Sequence, residues 1–133
     1  MSSFITPLVV SPTFDGRHWR LVKSFSYRVG KPYSGVFVRV PKEFITDFAS
    51  IPRFLWFLPY WAKFNKSPVV HDRLYDTHKV MGKKISRKRA DKIFLEAMLN
   101  EWRFHRSRYI IAYLEYLAVR VFGGLTWGNK KKE

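Results

Sequence analysis

Three polar residues stand where helices should be apolar: His71, Tyr75 and Asp91. The stretch Pro68-Val69-Val70-His71-Asp72-Arg73-Leu74-Tyr75 puts His71 and Tyr75 one helical turn apart on one face. A histidine near a carboxylate is a packed polar pair, a metal site or a base for water. Asp91, in "ADKIFLEAM", shares its helical face with Phe94, Leu95 and Met98. A bare buried carboxylate costs several kcal/mol, so Asp91 needs a partner, and so does the His71 ring. If Asp91 holds one imidazole nitrogen, the other is left as a base.

Asp72 is rotated from His71 by about 100° on a helix, so it cannot share that work. It points instead towards the loop "TDFASIPR", Thr46 to Arg53. There Asp72, Asp47 and the carbonyls around Ala49 and Ser50 are the oxygens a Ca²⁺ ion would take. A purely structural network competes with both readings. In it Asp91 bonds Tyr75 or His71 without chemistry, Asp47 pairs with Arg53, and the pair ties a helix to a loop. His18 and His105 stand among basic and aromatic neighbours, which suits surface or binding positions.

The elements that must position these groups follow from periodicity. Trp19, Leu21, Phe25, Tyr27 and Val29 alternate with polar residues, as a half-buried strand requires. "GKPYSG" then breaks the chain, and Val36, Val38 and Val40 return as the second arm of a hairpin closed by Pro41. Pro52, Pro59 and Pro68 divide the aromatic stretch into short turns that present Trp56, Phe57, Tyr60 and Trp61. A first helix begins near Val69 and ends at Gly82. Ser86 caps a second helix that carries Asp91, Phe94, Leu95 and Met98. A third spans about 107–122, with Ile110, Ile111, Leu114, Leu117, Ala118 and Val121 as its apolar stripe, and Gly123-Gly124 stops it.

These elements predict an α+β fold, an N-terminal antiparallel β-hairpin or small sheet packed on a C-terminal three-helix unit. The chain of 133 residues reads as a single domain. Residues 1–50 are mainly β, 51–68 an aromatic loop, 69–124 helical and 125–133 a basic tail.

Composition bounds the function. Aromatics make up 18% of the chain, and 25 Lys+Arg against 10 Asp+Glu leave a formal net charge of +15. That charge predicts an acidic partner: nucleic acid, an anionic membrane or an acidic protein surface. The anion-binding candidates are Lys83, Lys84, Arg87, Lys88 and Arg89, with Arg103, Arg106, Arg108 and Lys130–Lys132 further on. No helix-turn-helix, zinc-finger or RNA-binding motif points to base-specific reading. The chain has no cysteine, which excludes disulfides and thiolate metal sites. No basic segment followed by a long apolar run opens the sequence, so no signal peptide is expected. The apolar run Tyr109–Val119 contains Glu115 and is too short to span a bilayer.

"HDRLY" and "ADKIFLEAM" resemble the paired catalytic helices of secreted, bacterial and parvoviral phospholipases A2. The resemblance covers about residues 69–98. It implies His71 as general base, Asp91 as its orienting partner, Tyr75 as support for Asp91, and Asp72 as a Ca²⁺ ligand. The glycine-rich calcium loop of those enzymes has no counterpart, because "TDFASIPR" contains no glycine. Over nearly the whole chain, the ordered blocks "VPKEFITDFASIPR", "VVHDRLY", "ISRKRADKIFLEAM" and "YLAVRVFGG" resemble a domain family of unknown function encoded by tailed phages and prophages.

Two functions fit these features. The first is a phage-encoded virion-associated accessory protein, with a tail-related role among the options. It binds an acidic partner (nucleic acid, anionic membrane or another virion protein), is made in the host cytoplasm and can end up in the virion. The second is a Ca²⁺-dependent hydrolase of lipid or another envelope ester that uses His71 and Asp91. For it, Trp56, Phe57, Tyr60 and Trp61, with Lys63 and Lys66, would form an interfacial surface. Phage structural proteins are often symmetric multimers, so a homo-oligomer is compatible with the first reading, but no heptad pattern marks an interface.

Overall fold

A computed structural model describes residues 7–16, 18–30, 35–47, 65–103 and 105–129. Among these residues, seven short strands and three helices make an α+β architecture. Strands β1 (Val10–Pro12), β2 (Trp19–Leu21) and β5 (Ile45–Thr46) form an antiparallel sheet in the order β1-β2-β5. Strands β3 (Phe25–Arg28) and β4 (Phe37–Val40) form the expected hairpin, with Phe25 opposite Val40 and Tyr27 opposite Val38. Alternation decides which side is inside. Phe25, Tyr27, Val38 and Val40 are buried, while Ser26 and Arg28 are half-buried and Phe37 and Arg39 exposed. The single long strand that Trp19 to Val29 suggested is two strands in two sheets, β2 and β3.

Helix α1 (Lys66–Thr77) begins three residues before Val69, with Asn65 as N-cap. Pro68 therefore lies inside the first turn, where its missing N–H has no intrahelical partner to lose. The helix ends at Thr77 and not at Gly82. His78 adopts a left-handed φ of 58° and returns its N–H to Leu74 at 2.8 Å. Gly82 serves instead in a tight hairpin between β6 (Lys79–Val80) and β7 (Lys83–Lys84). Met81 and Gly82 both have positive φ, 51° and 82°, as such a two-residue turn demands.

Ser86 caps α2 (Arg87–Glu101) by accepting the Arg89 N–H at 3.1 Å. Helix α3 (Arg108–Asn129) passes through Gly123-Gly124 without stopping.

One core lies between the β3–β4 hairpin and α1 and α2, with Leu21, Tyr27, Val40, Val69, Leu74 and Ile93 among its members. A second lies between α2 and α3, around Phe94, Met98, Trp102, Ile111 and Ala112. Helical carboxylates stitch the β half to the helices. Glu96 accepts the Tyr27 hydroxyl and the Gly30 N–H, the latter at 3.0 Å. Asp72 accepts the Thr46 hydroxyl and the Asp47 N–H, the latter at 3.1 Å.

Candidate functional site

Asp91 is fully buried and meets groups from all three helices. Helix α1 brings His71 and Tyr75 to it, one turn apart as the sequence spacing requires. His71 Nε2 lies 2.9 Å from Asp91 Oδ1, and the Tyr75 hydroxyl donates to the same oxygen at 2.6 Å. On Oδ2, Arg120 of α3 donates at 2.8 Å, and Arg87, one turn earlier on α2, stands at 3.6 Å. The carboxylate is thus surrounded by donors on both oxygens, which is what a buried charge needs.

The protonation pattern follows. Burial alone would raise the Asp91 carboxyl, but bonds from His71, Tyr75 and Arg120 outweigh it and hold the group below its usual range. Burial holds His71 below its ordinary value against the pull of Asp91, so the ring is neutral near pH 7. Burial, and then the Asp91 charge, push the Tyr75 phenol well above its ordinary value. A neutral imidazole facing a carboxylate carries its hydrogen on Nε2, so Nδ1 presents a lone pair. Nδ1 is buried and has no hydrogen-bond partner among the described residues. The ring packs against Tyr75 at 4.2 Å and Phe94 at 4.4 Å between centroids.

Two uses are open to this geometry. The pair Asp91–His71 orients an imidazole with one free nitrogen, as a general base requires. The same carboxylate, neutralised by two guanidiniums, also clamps three helices together. The clamp is the better-developed feature, since His71 is only 3% exposed and every other contact of Asp91 is an internal tie.

The remaining candidates separate from this centre. Asp72 turns away from His71 and binds the strand end at Thr46 and Asp47. Among the described residues, no group of three or more His, Asp or Glu side chains could hold a metal ion. Lys83, Lys84, Lys88 and Arg89 are exposed on β7 and the first turn of α2. Arg87 is not in that set. Its guanidinium turns inward to donate to the carbonyls of Val119 and Arg120 at 3.0 and 3.2 Å. Trp56, Phe57, Tyr60, Trp61 and Lys63 lie outside the described residues, as do Ala49 and Ser50 of the expected calcium loop and Arg53, the expected partner of Asp47.

Sequence reasoning missed four contributors. Arg87 and Arg120 balance Asp91, and their number in so basic a chain hid them. Gly123 gives no side chain where the Tyr75 hydroxyl passes: a Cβ there would stand 2.5 Å from that oxygen. Trp127, placed by sequence in the tail, stacks on His78 at 3.7 Å and meets Tyr75 edge-on at 4.9 Å. An apolar pattern that resumes after Gly123-Gly124, as Leu125 and Trp127 do, was the available signal.

Compared with known proteins, residues 19–119 match the model of a family described as a protein of unknown function, DUF1353. No curated protein and no solved structure matches the chain.

Proposed function

The chain belongs to the DUF1353 family, and from that premise we propose that it is a phage-encoded accessory or virion-associated protein that binds an acidic partner. One observation carries this reading. Lys83, Lys84, Lys88, Arg89 and Lys92 are exposed together, and among the described residues no acidic side chain pairs with any of them. Helix α2 has no acid in its first turn, so its positive dipole end adds to the cluster instead of being offset. Such a patch costs folding stability through self-repulsion, and an anion relieves it. The phage setting rests on the ordered sequence blocks. In this reading the Asp91 node is the scaffold that fixes the patch.

The test is a salt titration of binding to heparin, duplex DNA and anionic vesicles. Charge reversal in Lys83→Glu/Lys84→Glu/Lys88→Glu should weaken binding and reduce the log–log salt slope by about one per lost contact. Unchanged affinity and slope for every anion would sink the reading.

The unpaired Nδ1 of His71 favours a second reading, a hydrolase of lipid or another envelope ester with His71 as general base, Asp91 as its orienting partner and Tyr75 as support. Asp72 Oδ2 accepts from Thr46 and Asp47, and the carbonyls around Ala49 and Ser50 lie outside the described residues. Turnover of phospholipid vesicles, with and without Ca²⁺, is the measurement. Loss of turnover in a folded His71→Gln protein supports catalysis, and no turnover by the wild type ends it.

A further inference from the structure

The outer side of α3 carries no charge along its whole length. The helix has three charged residues, Arg108, Glu115 and Arg120. Arg120 is drawn to Asp91, Glu115 is buried, and Arg108 lies over the Tyr109 ring at its very start. Ile110, Tyr113, Leu114, Leu117, Val121 and Leu125 face outward, each 39% to 71% exposed. Their spacing keeps them on one face through four turns, opposite the packed face of Ile111, Ala112, Glu115 and Ala118. A helix apolar on both sides belongs in a larger core or at a lipid surface, and a continuous apolar patch of this extent is uncommon on a solitary soluble domain.

Charge selects among the occupants. Exposed Arg106 precedes the helix, and Lys130–Lys132 follow it in the sequence. A second copy docked on the stripe, parallel or antiparallel, would bring basic end against basic end in a chain of net charge +15. Nucleic acid satisfies the basic residues but gives Ile110, Leu117 and Val121 nothing to bury against. An anionic lipid surface satisfies both, with apolar side chains below the headgroups and Lys and Arg among them. The basic start of α2 borders the same helix, since Arg87 is bonded to the α3 backbone at Val119 and Arg120. Among the described residues, no helix is long and apolar enough to cross a membrane, so α3 would lie along the surface.

We propose that the exposed face of α3 is a docking surface for anionic lipid bilayers, which rests on the acidic-partner reading and names that partner. The chain has no cysteine, so Leu117→Cys takes a single environment-sensitive dye. Sedimentation with phosphatidylserine-containing vesicles should pull down the protein, and pure phosphatidylcholine vesicles should retain much less. The dye at position 117 should shift to the blue on the anionic vesicles and stay unchanged with heparin. Leu117→Glu/Val121→Glu should fold with an unchanged melting temperature and lose roughly tenfold or more of the vesicle affinity.

Vesicle binding with a solvent-exposed dye and full affinity in Leu117→Glu/Val121→Glu would overturn the docking face and leave the acidic-partner reading standing. Failure to bind vesicles, DNA or heparin would remove both. A wild-type dimer that the same substitutions convert to a monomer, with vesicle affinity unchanged, would assign the face to a second copy and overturn the proposal.

Discussion

Gly123 and Tyr75 are in contact only because one of them has no side chain. The Tyr75 hydroxyl needs the space a Cβ of Gly123 would fill in order to reach Asp91. Gly123→Ala should therefore destabilise the fold by about 2 kcal/mol, by an overpacking clash against a tied hydroxyl. Tyr75→Phe removes the clashing oxygen and loses one bond to Asp91. The double variant should be more stable than the sum of the two single losses predicts, by at least ~0.5 kcal/mol in denaturant unfolding. Strict additivity would mean the two residues do not share that space.

Removal of Asp91 should be far worse than removal of one of its partners. Asp91→Ala leaves His71, Tyr75 and two guanidiniums without their shared acceptor, and the loss should be about 3–5 kcal/mol in chemical denaturation. A loss below about 1 kcal/mol would show that the node holds nothing together.

Acid should destabilise the fold in two steps. His71 is held below its ordinary 6.5, so the unfolded chain takes up a proton that the folded chain refuses. Its contribution is complete above pH 6.5 and is lost as the pH falls towards the folded value. Asp91 is held below its ordinary 3.8, and its contribution is lost in turn as the pH drops through that range. His71→Gln should flatten the first step and leave the second, as read from melting temperatures between pH 7 and pH 3.

Glu115 should produce the opposite slope. Burial pushes its carboxyl up to about 8 from an ordinary 4.5, so the folded chain keeps a proton that the unfolded chain releases. That contribution is complete below pH 4.5 and is lost as the pH rises to about 8. Glu115→Gln should remove the slope and be at least ~1 kcal/mol more stable than the wild type at pH 8. An identical pH profile in the variant would mean that Glu115 is hydrated.

Much of this arrangement was legible from residue type and spacing. His71, Tyr75 and Asp91 could be paired on paper because each is polar on an apolar face, and polar groups in a core must find one another. Ser86 was recognisable as a cap, and Phe25, Tyr27, Val38 and Val40 as the inner side of a hairpin. The limits were equally physical. Gly123-Gly124 read as a stop because glycine favours helix ends, whereas here it stays helical to admit a neighbour. Glu101, remote in sequence, accepts the N–H groups of Lys66 and Ser67 at 2.9 and 2.8 Å and so helps to open α1. No local pattern announces such a cap. Helix α3 is apolar on both sides, so the stripe read from periodicity mixes them: Ile111 and Ala118 pack inward, while Ile110, Leu114, Leu117 and Val121 face out. Ile110 and Ile111 were indistinguishable until packing placed them 71% and 8% exposed.

The Asp91 node sets a condition on how α3 can act. Arg120 anchors the helix to a buried charge, so lifting α3 away would strip a carboxylate of a main counter-ion in dry surroundings. The helix is therefore held as a stiff ridge, unlike a segment that folds only on arrival. A preformed ridge gives up little chain entropy when it lands, so its contact with a partner can be quick, reversible and governed by salt.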